Sequence, residues 1–105
     1  MSNPAELMAQ ARKASDMLKA LSHETRLLIL CILAEGEKSV SELEEILSMP
    51  QATVSQQLAR LRFDRLVNAR RDGRMIYYSI ADKEVSSVIA TLYELFCKPV
   101  RQPET

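Results

Sequence analysis

The sequence predicts a mainly α domain with one small β-hairpin, its elements in the order α-α-α-α-β-β-α. Three observations carry that prediction. Aliphatic residues recur at helical spacing up to about residue 63, the period drops to two between Val67 and Ile80 around Asp72-Gly73, and helical spacing returns after Asp82. With 105 residues, 47% hydrophobic and 27% charged, the chain has the composition of one globular unit with one modest core. Aromatic residues are few and Trp is absent, so the core is expected to be aliphatic. No apolar run approaches the roughly 18 residues that cross a bilayer, and the opening MSNPAELMAQARK lacks the hydrophobic centre of a signal peptide. The expectation is a cytoplasmic protein with no membrane partner.

The first helix is predicted from about Ala5 to Leu21, with Leu7, Ala11, Ala14, Leu18 and Leu21 spaced by threes and fours, the pattern of a helix that packs on another. Ser22 is placed to cap a second helix over about 23–35. That helix carries Leu27-Leu28-Ile29-Leu30-Cys31-Ile32-Leu33, apolar all round its axis, and Gly36 ends it. Such a helix must be covered on more than one side. Ser39 stands three residues before Glu42, the spacing of a capping box, so a third, short helix starts there and runs to about Leu47. Ser48, Met49 and Pro50 then turn the chain into a fourth helix, although the turn lacks the Gly often found between two such helices. Val67, Ala69 and Arg71, then Ile76, Tyr78 and Ile80, alternate on either side of Asp72-Gly73 as a hairpin. Asp82 can cap the last helix, whose stripe is Val85, Val88, Ile89, Leu92 and Phe96, and Pro99 and Pro103 are expected to end it in a frayed tail. The order is that of a winged helix-turn-helix. One domain covers 1–98, with the helix-turn-helix at about 39–63, the wing at about 66–80, further helices at about 5–21 and 82–97, and a tail at 99–105.

The fourth helix reads QATVSQQLARLR over 51–62. Val54, Leu58 and Leu61 share one face, whereas the other carries small and polar residues. Ala52 and Ala59 let a backbone approach closely; Gln51, Thr53, Ser55, Gln56 and Gln57 can meet base edges, Gln by bonding adenine in two places. Formal net charge is zero, from 14 basic and 14 acidic side chains, but the charge is unevenly placed. Six arginines lie between Arg60 and Arg74 against two aspartates, while five glutamates fall between Glu35 and Glu45. Arg60 beside the helix and Arg70, Arg71 and Arg74 on the wing suit phosphate or minor-groove contacts, which position a protein on a duplex without reading its sequence. Double-stranded DNA is the partner this pattern indicates.

Four blocks, LKALSHETRLLILCIL, SVSELEEIL, TVSQQLARLR and RRDGRMIYYSI, occur in an order and spacing that resemble the ArsR/SmtB family of small dimeric bacterial repressors, over about residues 15–97. The sequence departs from the family at Glu24 and Ala52, where Pro is common; neither position carries base-reading chemistry. The resemblance implies a homodimer whose first and last helices form the interface, with its two recognition helices about 34 Å apart on operator DNA.

Metal-sensing relatives carry Cys near the start of the helix-turn-helix, or Asp and His pairs on the last helix. Here those regions read Ser39-Val40-Ser41 and Asp82-Lys83-Glu84, with Leu95 and Lys98 further along, and the single His23 has no histidine partner. No metal or other cofactor is expected. Cys31 and Cys97 remain. Their spacing alone fits small buried hydrophobes and gives neither a redox C-x-x-C nor a staple. Together with the missing metal ligands they resemble the dithiol persulfide sensors of the family, the BigR and SqrR group. That resemblance implies that reactive sulfur species link the two thiols through extra sulfur atoms, across a gap too wide for a plain disulfide, and that the bridged form leaves DNA and frees sulfide-detoxification genes. The same thiols leave open a response to peroxide or metal, displacement of another regulator, or a thiol oxidoreductase, although one distant His gives an enzyme little acid-base support. No enzymatic activity is expected.

Overall fold

A computed structural model of the chain describes residues 3–103. Helices α1 (Pro4–Leu21) and α2 (Glu24–Leu33) are followed by a short strand β1 (Lys38–Ser39), helices α3 (Val40–Leu47) and α4 (Gln51–Phe63), strands β2 (Val67–Asp72) and β3 (Met75–Ile80), and helix α5 (Lys83–Leu92). A π turn, Tyr93–Cys97, joins α5 to a final helix α6 (Lys98–Arg101). The winged helix-turn-helix is present, with one strand the sequence did not suggest.

Helix α2 forms the axis of the core. Ile29, Leu30, Cys31, Ile32 and Leu33 are all buried, because α1, α4, α5, the π turn and β3 surround them. Each aliphatic side chain removed from water in this way stabilises the fold by about 1.5–3 kcal/mol. Val54, Leu58 and Leu61 of α4, Leu43 of α3, and Val85 and Ile89 of α5 complete the same cluster. Their full burial fixes the opposite face of α4 outward.

Ser39 has two tasks. Its backbone pairs with Tyr77 in the sheet, whose order is β1-β3-β2. Its hydroxyl accepts from the Glu42 N–H at 3.1 Å while its own N–H donates to Glu42 Oε1 at 3.0 Å, the capping box expected from the spacing. Without the Gly often found in such turns, the connection between α3 and α4 places Ser48 in the left-handed region, φ 52 and ψ 45. A serine there is strained by about 1–2 kcal/mol relative to a right-handed residue.

Three expectations need correction. Ser22 does not cap α2; it stays in the right-handed helical region and its hydroxyl donates back to the Lys19 carbonyl at 2.7 Å. His23, in extended conformation, is the cap, and its Nδ1 accepts from the Arg26 N–H. In the hairpin Asp72 pairs with Met75, so the two loop residues are Gly73 and Arg74 rather than Asp72 and Gly73. Only Gly73 of these has positive φ, at 61°, the sign pattern of a type II′ turn with Gly first. Lastly, the backbone remains helical beyond Pro99. The π turn ahead of it, closed by the Lys98 N–H on the Tyr93 carbonyl, puts Pro99 in the first turn of α6, where a missing N–H breaks no bond.

Replacing Ser39 by Ala removes the acceptor from the part-buried Glu42 N–H and is expected to lower stability by about 1–2 kcal/mol. Urea unfolding measures this; an unchanged midpoint would show that the box carries no stability.

Candidate nucleic-acid interface and thiol pair

At 100° per residue the exposed side of α4 centres on Ala52, Gln56, Ala59 and Phe63, with Gln51, Ser55 and Arg60 at its borders. These residues are exposed, with nothing of the chain laid over them. Phe63, 82% exposed at the end of the same face, was not singled out by sequence because the polar pattern stops before it. Thr53 is half-buried at the edge. Gln57 lies nearer the packed side, also half-buried, and its Oε1 accepts from Arg26 Nη1 at 3.4 Å. Since Arg26 Nε also donates to the Ala20 carbonyl at 3.0 Å, this guanidinium joins the end of α1 to the middle of α4.

The arginines divide by partner. Arg70 donates two bonds to Glu37, at 3.1 and 2.7 Å, and lies over the Tyr77 ring, 4.8 Å from its centre. Arg60 pairs with Asp64 at 3.0 Å, one turn further on, and Arg71 Nε donates to the Gly73 carbonyl at the wing tip. Arg62, Arg65 and Arg74 are exposed and have no ion-pair partner among the described residues. The wing therefore presents Arg74 and Arg71 outward, while Arg70 is tied back to the body. Arg62 and Arg65 add positive charge that the sequence reading counted without assigning it a contact.

At the other end of α2 the two cysteines meet. Cys31 is 4% exposed and Cys97 half-buried, and the two thiols lie near enough for Cys97 to act on the Cys31 proton. Burial first, then that interaction and the charge Cys97 would carry, push the Cys31 thiol up to about 12. Cys31 is therefore protonated at neutral pH, and Cys97 is the more exposed of the two sulfurs. Their separation of 66 positions hid this proximity from the sequence.

Beside the thiols, Glu35 collects several partners. Arg101 donates to its two oxygens at 2.7 and 2.9 Å, the Tyr93 hydroxyl donates at 2.8 Å, and Lys38 Nζ lies 3.7 Å away. The Arg101 bonds foremost, against the opposing effect of burial and with help from Tyr93 and Lys38, hold this carboxyl at about 2. Among the described residues no three His, Cys, Asp or Glu side chains gather as a metal site, and no helix is long and apolar enough to cross a membrane.

Comparison with known proteins places this geometry among regulators. The family model described as "Bacterial regulatory protein, arsR family" matches residues 23–69. The biofilm growth-associated repressor of Agrobacterium fabrum is 42% identical over 90 residues, covering 86% of this chain and 77% of that protein. The crystal structure of the transcriptional repressor BigR from Xylella fastidiosa superposes with a TM-score of 0.86 at 36% identity, covering 95% of this chain and 99% of that one. The structure described as reduced HlyU from Vibrio cholerae gives 0.82 at 41% identity, covering 88% and 97%.

The Glu35 cluster sets a pH dependence. A carboxyl whose folded value lies below its unfolded value adds stability above the unfolded value and loses it as protons return. For Glu35 the contribution is complete above about pH 4.5 and falls away toward about pH 2. Glu35→Gln is therefore expected to be less stable than wild type at neutral pH and to converge with it on acidification. Thermal midpoints followed down the pH scale test this; parallel curves would sink it.

Proposed function

The chain belongs to the ArsR family of bacterial regulatory proteins, and from that membership we propose that it is a homodimeric repressor that holds operator DNA while Cys31 and Cys97 are free thiols and leaves it once reactive sulfur species join them. DNA-binding transcriptional regulation is the activity of its named relatives. The observation that carries the sensing part is the proximity of Cys31 and Cys97, brought together from two elements far apart in sequence.

For DNA, the exposed face of α4 enters the major groove. Gln51, Ser55 and Gln56 contact base edges, with Thr53 at the margin and the alanines allowing close approach. Arg71 and Arg74 bind phosphates or the minor groove; Arg60, Gln57 and Arg70 would need to leave Asp64, Arg26 and Glu37 to join them. The dimer uses α1 and the C-terminal helices. Leu7, Leu18, Leu95, Phe96 and Val100 are each more than half exposed on those elements, an apolar surface that a second copy would cover.

The chemistry starts at Cys97. Its thiolate takes the outer sulfur of a low-molecular-weight persulfide, RSSH, and the departing group is the thiol RSH. Cys31, having given up its proton, attacks the sulfur of Cys97 and expels hydrosulfide, leaving a disulfide; the persulfide is reduced and the thiols are oxidised. Where further persulfides extend the chain on Cys97 before closure, each adds one sulfur atom and releases one RSH, and the bridge becomes a tri- or tetrasulfide with the same loss of one H2S. Joining α2 to the π turn moves the C-terminal helices relative to the core, and with them the spacing of the two recognition helices. Because the two thiols lie near each other, a plain disulfide made by peroxide is the second reading.

Gln56→Ala is expected to relax base preference, losing about 1–3 kcal/mol on the preferred operator, while Arg74→Ala weakens binding to all sequences alike. Fluorescence anisotropy with operator and scrambled duplexes separates the two effects, and unchanged affinities for both variants would rule out this face. Cys31→Ser and Cys97→Ser are expected to bind operator as the reduced wild type does and to remain bound when glutathione persulfide is added. Full release of Cys97→Ser would refute the two-thiol mechanism, and intact mass with peroxide in place of persulfide decides between the inducers.

A further inference from the structure

Tyr93, Cys97 and Arg101 follow one another at intervals of four on the C-terminal helical segment, and Cys31 and Glu35 are likewise four apart at the end of α2. The two rows face each other. Cys97 lies beside Cys31 against the core, and the residues one turn before and one turn after it, Tyr93 and Arg101, both bond the Glu35 carboxylate. Tyr93 is buried and the Glu35 side chain is only 14% exposed, so the Tyr93 bond is little screened by water, while the Arg101 side chain, 37% exposed, covers the carboxylate from the solvent side. We infer that Glu35 is the positioning residue of the thiol pair: by gripping both sides of Cys97 it holds the π turn and α6 against α2, and so sets how fast, and through how many sulfur atoms, the two cysteines are joined.

The arrangement of the backbone supports this. A π turn carries one residue more than an α turn, and Pro99, lacking an N–H, adds no backbone bond to it from the C-terminal side. Tyr93 anchors the segment in the core, but Phe96 and Val100 are 69% and 78% exposed, so beyond Tyr93 little packing within the chain holds it. The pair of bonds from Arg101 then adds the restraint on the far side of Cys97. With it closed, the two sulfurs are held near each other, which favours the shortest bridge. With it open, Cys97 moves away from Cys31, the closing attack slows, and the Cys97 persulfide survives long enough to take on further sulfur. Glu35 does not touch the reacting sulfurs; its effect reaches them through Tyr93 and Arg101.

This inference rests on the sensing role proposed for the two cysteines, but its test reads the thiols themselves. Wild type, Glu35→Gln, Arg101→Ala and Arg101→Lys are treated as reduced protein with diamide, which oxidises two thiols directly to a disulfide, and separately with glutathione persulfide. Loss of free thiol and intact mass are followed in time. Arg101→Ala and Glu35→Gln are expected to slow diamide-driven disulfide formation by about tenfold or more, and to shift the persulfide products from disulfide toward tri- and tetrasulfide. Arg101→Lys, which keeps the charge without the two-pronged bond, falls between. Operator affinity of each reduced variant is expected to match wild type, which separates positioning from a general loss of structure. Closure rates and product masses equal to wild type in both Arg101→Ala and Glu35→Gln would overturn the inference. Wild-type protein that forms the bridge yet stays on operator would instead overturn the sensing role, with the positioning role decided by the thiol rates alone.

Discussion

The burial of five consecutive residues on α2 is the constraint on which everything else in this molecule depends. A helix apolar on all sides has to be surrounded, and a chain of this length can surround only one. Once α1, α4, α5, the π turn and β3 have closed around Ile29 to Leu33, little freedom remains. The packed face of α4 is committed to Val54, Leu58 and Leu61, so its opposite face is presented outward. At the other end of the same helix, Cys31 is held in apolar surroundings and meets Cys97 from α5's continuation. One packing decision thus orients the surface suited to DNA and assembles the thiol pair.

Much of this was legible in the sequence. Aliphatic spacing located four of the helices well, and the Ser39–Glu42 spacing corresponds to a capping box seen atom by atom. The hairpin signal placed the wing, with the loop offset by one residue. What escaped was what long-range pairing decides. Strand β1 has two residues, too few for a periodic pattern, and exists because Lys38 and Ser39 find Tyr78 and Tyr77 across the sheet. The helix beyond Pro99 carries Arg101 to Glu35, 66 positions earlier. No local rule encodes such a contact.

The same limit applies to function. Residue types on α4 indicated a surface able to read bases, but not that Gln57 would be held by Arg26, since that bond follows from the crossing of α2 and α4. For the thiols, neighbouring charge and composition were silent. Their contact comes from the meeting of a helix end with a segment after α5, and the raised Cys31 thiol is a product of that burial. The difference in exposure between the two sulfurs follows from the same packing.

The wing also changes how its charge should be counted. Arg70 spends both prongs of its guanidinium on Glu37 and its face on Tyr77. A cation already neutralised by a carboxylate neutralises no phosphate, so it releases few of the counterions condensed on the duplex. The steepness with which affinity falls as ionic strength rises should therefore report Arg71 and Arg74 and pass over Arg70, leaving this protein's grip on a duplex less sensitive to salt than its run of arginines suggests.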